Sequence, residues 1–122
     1  MTRHETGSYG EQIVKTLTAG KFGKIGRDSD IVLSDGTQIE VKTARKGKDG
    51  KYRARLYKPG SQDHRKSDYV VFVLLDDRVY FYVIPTDDIR DHVQLTITSH
   101  PNTYNGKYAQ YRQESLACLL TL

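Results

Sequence analysis

The run Tyr69-Val70-Val71-Phe72-Val73-Leu74-Leu75 carries no charged residue. Successive side chains of a strand point to opposite faces, so a strand that is apolar throughout must be covered on both. Asp76-Asp77 turns this run into a second strong strand, Val79 to Ile84, which Pro85 stops. A central strand of that kind demands layers above and below its sheet, which rules out an all-helical chain.

The rest of the chain supplies those layers. Ser8-Tyr9-Gly10-Glu11 opens a helix on which Ile13, Val14 and Leu17 recur at helical spacing, and Gly20 ends it. Lys21 to Arg27 links it to a short apolar run, Ser29 to Leu33, and Thr37 to Arg45 is the next strand. Tyr52 to Lys58 alternates as a half-exposed strand, and Pro59 to Lys66 is a polar, basic loop. Thr86-Asp87-Asp88 begins a short helix through Val93, Gln94 to Thr98 forms an edge strand, and Tyr108 to Leu122 reads as a helix with Leu116, Leu119 and Leu120 on one side. The expected architecture is α/β (or α+β): a mixed sheet of about five strands flanked by helices, in one domain spanning 1–122.

Within that frame, Gln38-Ile39-Glu40-Val41-Lys42 places a carboxylate and an ammonium on one strand face, with Ile39 and Val41 on the other. Ser34-Asp35-Gly36 is a turn signal that folds this strand against the one bearing Asp30. Asp30 and Glu40 then converge beside Lys42. A hard divalent cation such as Mg²⁺ or Mn²⁺ favours oxygen ligands of this kind and keeps open positions for water and phosphate. Lys42 can orient or deprotonate a water, or neutralise charge developing on a phosphate. The competing reading of Glu40 and Lys42 is an exposed ion pair of little energetic weight.

Composition narrows the function less. Nineteen Lys and Arg against fifteen Asp and Glu give a net charge of +4, compatible with a polyanionic partner. Cys118 is the single cysteine and lies in an apolar run, so it is expected as a buried inert thiol, and no Cys/His spacing suggests zinc. No segment has the length and apolarity of a membrane span or a signal h-region, so a soluble, intracellular protein is expected.

These residues resemble the PD-(D/E)xK nuclease superfamily, the restriction endonuclease-like fold. That family's pattern is a helical Glu, an Asp at a strand start, then (D/E)-x-K on the next strand, and Glu11, Asp30, Glu40 and Lys42 stand in that order. The resemblance covers roughly 7–85. Its first part looks like the small Holliday junction resolvases. Val41-Lys42-Thr43-Ala44-Arg45, Ser67 to Phe72 and Val79 to Pro85 look similar to group I intron homing endonucleases of this superfamily. Ser29 replaces the proline in the motif's name, and the segment from Gln94 onward has no counterpart in either resemblance.

The resemblance implies DNA phosphodiester hydrolysis with Mg²⁺ or Mn²⁺ held by Asp30, Glu40 and the carbonyl of Val41, with Lys42 assisting and Glu11 completing the site. Glu11 has a competing role, since Ser8-x-x-Glu11 is also a capping box. Arg27 and Ser29 flank Asp30; Arg45, Lys46, Lys48, Arg53 and Arg55 cluster on one hairpin; Gln62, Arg65 and Lys66 lie in the basic loop. All are candidate contacts to a DNA backbone. A structure-selective junction resolvase is the leading reading, followed by a restriction-like or homing-type enzyme on duplex DNA, of phage or mobile-element origin, and then by an inactive nucleic-acid-binding module. Two-strand cutting by so small a domain implies a homodimer.

Overall fold

A computed structural model describes residues 2–24, 29–103 and 106–120. Helix α1 spans Arg3–Thr18. Strands β1 (Lys21–Phe22), β2 (Ile31–Val32), β3 (Gln38–Arg45), β4 (Tyr52–Arg55), β5 (Tyr57–Lys58), β6 (Gln62–Asp63), β7 (Tyr69–Leu75), β8 (Val79–Pro85), β9 (Gln94–Ile97) and β10 (Arg112–Gln113) follow, with 3-10 turns between several of them. Six strands form one mixed sheet in the order β1-β2-β3-β7-β8-β10, in which only β3 and β7 run parallel. Mixed α/β architecture is thus as expected, with one strand more in the sheet.

The all-apolar β7 is buried on both sides, as its composition requires. Val70, Phe72 and Leu74 enter one core with Tyr80, Tyr82 and Ile84 of β8. Val71 and Val73 enter the other with Phe81 and Val83. The first core is closed by Tyr52, Leu95 and Ile97 from the small β4–β9 sheet and by Leu56 just after β4. The second is closed by Val14 of α1 together with Leu116 and Leu119 from the C-terminal segment. Each such side chain contributes about 1.5–3 kcal/mol on full burial, so neither layer is dispensable.

Four local expectations are corrected. Helix α1 begins earlier than Ser8: Thr2 is its N-cap, and Thr2 and Glu5 form the reciprocal capping box at 3.1 Å each way. The pattern Ser/Thr-x-x-Glu occurs twice in this segment, and the upstream copy caps, leaving Glu11 in mid-helix. The strand expected over Tyr52 to Lys58 breaks at Leu56, whose N–H bonds to the Val93 carbonyl at 2.9 Å while its side chain enters the core. The helix expected from Thr86 to Val93 is a single 3-10 turn, Thr86–Ile89. No helix spans 108–120. That segment holds 3-10 turns at Ala109–Tyr111 and Ala117–Leu120 with β10 between them. Pairing β10 with β8 satisfies an otherwise open sheet edge, and Leu116 and Leu119 reach the core from a tight turn as well as from a helix.

Candidate active site

The hairpin between β2 and β3 sets the site. Its turn is closed by Leu33 N–H to the Thr37 carbonyl and Gly36 N–H to the Leu33 carbonyl, both 2.9 Å, and Gly36 takes a φ of +91°. The register pairs Ile31 with Ile39 and Val32 with Gln38, so Asp30 comes next in line with Glu40. Beyond Ile31 the backbone ladder stops and the Asp30 side chain continues it, its Oδ2 accepting from Val41 N–H at 2.9 Å. The Ser29 N–H likewise donates to Gln38 Oε1 at 2.8 Å. Because N–H and C=O of one strand residue share an edge, the Val41 carbonyl also faces Asp30 rather than β7.

Helix α1 brings the third carboxylate. Gly10 lets the helix lie directly on β3, since a Cβ there would sit 1.7 Å from Thr43 Oγ1. Glu11, the next residue, is thereby carried to the Asp30 side, where the Asp30 charge acts on its carboxyl. Glu40 is likewise exposed to the Asp30 charge, and the three carboxylates line one cavity. Lys42 Nζ lies 3.6 Å from Glu40 Oε2 and donates to Gln62 Oε1 at 3.3 Å. Lys42 and Glu40 side chains are only 16% and 14% exposed, so this is no solvated surface pair.

Crowding shows in the electrostatics. Burial is the largest cause raising both the Glu40 and the Glu11 carboxyl above the usual range, followed in each by the Asp30 charge and hydrogen bond; Lys42 offsets part of it. Two glutamates whose ionised forms are disfavoured, beside Asp30 and one ammonium, form a donor set that suits a hard divalent cation.

The four residues line one cavity of about 360 Å³, whose far wall comes from the β5–β6 hairpin and the turn after it. Ser29, Gln62 and Lys66 also stand on that cavity, joined by Ser61 and Asp63. Arg45, Arg53 and Arg55 line an adjoining groove instead. Arg65 is turned away, forked on Asp63 and stacked 4.3 Å over the Tyr57 ring. Lys46 and Lys48 line neither space, and Lys46 approaches Asp76 at 4.0 Å. Arg27 lies outside the described residues. His64 is fully buried, with Nε2 2.7 Å from the Ile89 carbonyl, which removes it from the chemistry.

A second acidic group, unforeseen in the sequence, sits at the β7–β8 turn. Asp76, Asp77 and His100 present ligand atoms within 4.8 Å of one another. These atoms are already engaged: Tyr52 hydroxyl donates to Asp76, Tyr80 hydroxyl donates to Asp77 at 2.7 Å, and His100 Nε2 lies 3.3 Å from Asp77. The Tyr80 hydroxyl is the largest cause holding the Asp77 carboxyl below its usual range. Among the described helices none is long and apolar enough to cross a membrane.

No protein-family model matches this sequence, and no curated protein does. The fold does have a match. The solved structure of the bacterial homing endonuclease I-Ssp6803I superposes with a TM-score of 0.69 at 18% identity, over 99% of this chain and 95% of that one. Along nearly its whole length, then, this chain is similar in fold to a bacterial homing endonuclease.

Proposed function

We propose that this protein is a metal-dependent DNA endonuclease of the PD-(D/E)xK type. The observation that carries the reading is the meeting of Glu11, Asp30, Glu40 and Lys42 in one cavity from three separate elements. Asp30, Glu40 and the Val41 carbonyl would hold Mg²⁺ or Mn²⁺, with Glu11 completing the acidic set. A divalent cation there supplies Lewis-acid charge for activating water and stabilising the leaving oxygen. Lys42, half-buried and held between Glu40 and Gln62, offers its ammonium to the attacking water or to the phosphate oxygens. Hydrolysis breaks the P–O bond to one sugar oxygen and places the water oxygen on phosphorus.

Two substrates are compatible with that site. Linear duplex, cut in the homing manner, is favoured by the extent of the likeness to a homing endonuclease, which takes in the segment from Gln94 that neither sequence resemblance reached. The four-way junction reading rests on small size and on the similarity of the first helix to resolvases. A homodimer, with one cavity per strand, serves either substrate.

The test is a nicking assay on a labelled four-way junction and a matched linear duplex library, with Mg²⁺, Mn²⁺ or EDTA. Metal-dependent cuts absent from Asp30→Ala support the endonuclease. Cuts confined to the junction restore the resolvase reading. DNA binding without cleavage of either substrate under any metal leaves an inactive binding module and overturns the proposal.

A further inference from the structure

Next to the carboxylate cavity runs a groove of about 690 Å³ that shares Val41, Lys42 and Gln62 with it. Its floor is β3 from Val41 to Arg45. Strand β2 pairs only with Gln38 and Ile39, so among the described residues no strand covers the outer edge of β3 beyond them. Val41 N–H on that edge is taken by Asp30. By the alternation of a strand, the N–H groups of Thr43 and Arg45 point the same way.

The two walls are unlike. One is β4, which presents Arg53 and Arg55. The other is the first half of α1, with Arg3, Thr6 and Gly7. Arg53 is forked on Asp49, whereas Arg3, Arg45 and Arg55 form no ion pair among the described residues. Cations thus approach the groove from both walls and from the floor, and the acids of the adjoining cavity lie at one end only.

Gly7 is the informative residue. A glycine inside a helix destabilises it relative to alanine, so its presence usually reflects close packing. Gly10 has that reason in Thr43; Gly7 has none, because a Cβ there meets nothing within 4 Å. Its bare flank opens on the groove. The space it leaves is available to an occupant rather than to the protein's own core.

We propose that this groove is the track of one phosphodiester strand of DNA leading to the carboxylate cavity, with the Gly7 flank setting its width and Arg3 contacting a phosphate. Thr43 and Arg45 N–H groups on the strand edge offer further donors to the backbone. The inference rests on the nuclease reading and adds to it the path of the substrate and a wall formed by α1.

The probe is a short fluorescein-labelled DNA duplex at low salt in EDTA, read by anisotropy so that cleavage plays no part. Gly7→Leu and Gly7→Glu fill the track and should weaken binding about tenfold or more, while Gly7→Ala stays within about twofold. Thermal midpoints of all three should not fall, since the position is open and each replacement is a better helix former. Thr16→Leu, about two and a half turns along on the opposite face of α1, is the control and should bind as the unaltered protein does. Arg3→Ala should lower the slope of log affinity against log salt by about one. If the unaltered protein binds and the Gly7 and Arg3 variants match it in affinity and slope, the track is wrong and the nuclease reading stands. If the unaltered protein does not bind the duplex, the track is wrong, while the nuclease reading is decided separately by nicking of the junction and the duplex.

Discussion

The molecule holds two clusters of acids, and they are built in opposite ways. At the β7–β8 turn, Asp76 and Asp77 are exposed and accept hydrogen bonds from Tyr52 and Tyr80, with His100 beside them. Their charge is met by the tyrosine hydroxyls, with Lys46 4.0 Å from Asp76, and Asp77 is stabilised as the anion. In the cavity between α1 and the β2–β3 hairpin, Glu11 and Glu40 are desolvated and face Asp30, which disfavours their ionised forms. Proximity of acids is therefore a poor guide to a working site. Burial without sufficient donors is what leaves carboxylates in need of a cation.

The largest difference should appear in cleavage. Asp30→Ala and Lys42→Ala are expected to reduce metal-dependent nicking by at least about 10²–10³-fold. Asp77→Ala should leave it within a few-fold. Equal losses at the two clusters would erase the distinction drawn between them.

Cation binding is the next sharpest contrast. Mg²⁺ or Mn²⁺ at about a hundred times its dissociation constant should stabilise the protein by about 2.7 kcal/mol, seen as a rise in Tm. Asp30→Asn should remove that rise and Asp76→Asn should keep it. A rise that follows Asp76 instead would move the cation to the turn.

The carboxylate cavity also depends on how closely α1 lies on β3. Gly10→Ala must displace Thr43 or the helix and should cost about 1–3 kcal/mol in denaturant unfolding, lowering activity through Glu11 as well. Adding Thr43→Ala should recover part of the stability; strict additivity of the two would argue against that contact.

The last contrast is a pH dependence. Glu11 and Glu40 have folded-state pKa values raised above 4.5, to about 7 and about 8. A raised carboxyl binds more protons folded than unfolded, so its contribution is fully present below 4.5 and is lost as pH rises through the folded value. The metal-free protein should therefore lose Tm between about pH 5 and pH 8, and Glu40→Gln should flatten that decline. A metal-free Tm that climbs over this range would contradict the crowding.

Much of this site was legible in the chain because its parts are local. Asp30 and Glu40 are joined by a short hairpin with a turn at Ser34-Asp35-Gly36, and Glu40 and Lys42 share a face by strand alternation alone. The central strand declared itself by lacking charge. Glu11 was harder, because two identical capping patterns lie six residues apart, and only the docked helix shows which one caps.

What the amino-acid order determined by itself is the set of elements whose signals lie within a turn or a strand's length: β2, β3, β7, β8 and most of α1. What only the tertiary structure decided are the non-local pairings. The basic loop 59–66 folds back as the β5–β6 hairpin and brings Gln62 to Lys42, and the tail gives up a helix to pair β10 with β8. Those choices are settled by edges and cavities formed by distant residues, whose unmet hydrogen bonds and uncovered apolar faces outweigh local preference.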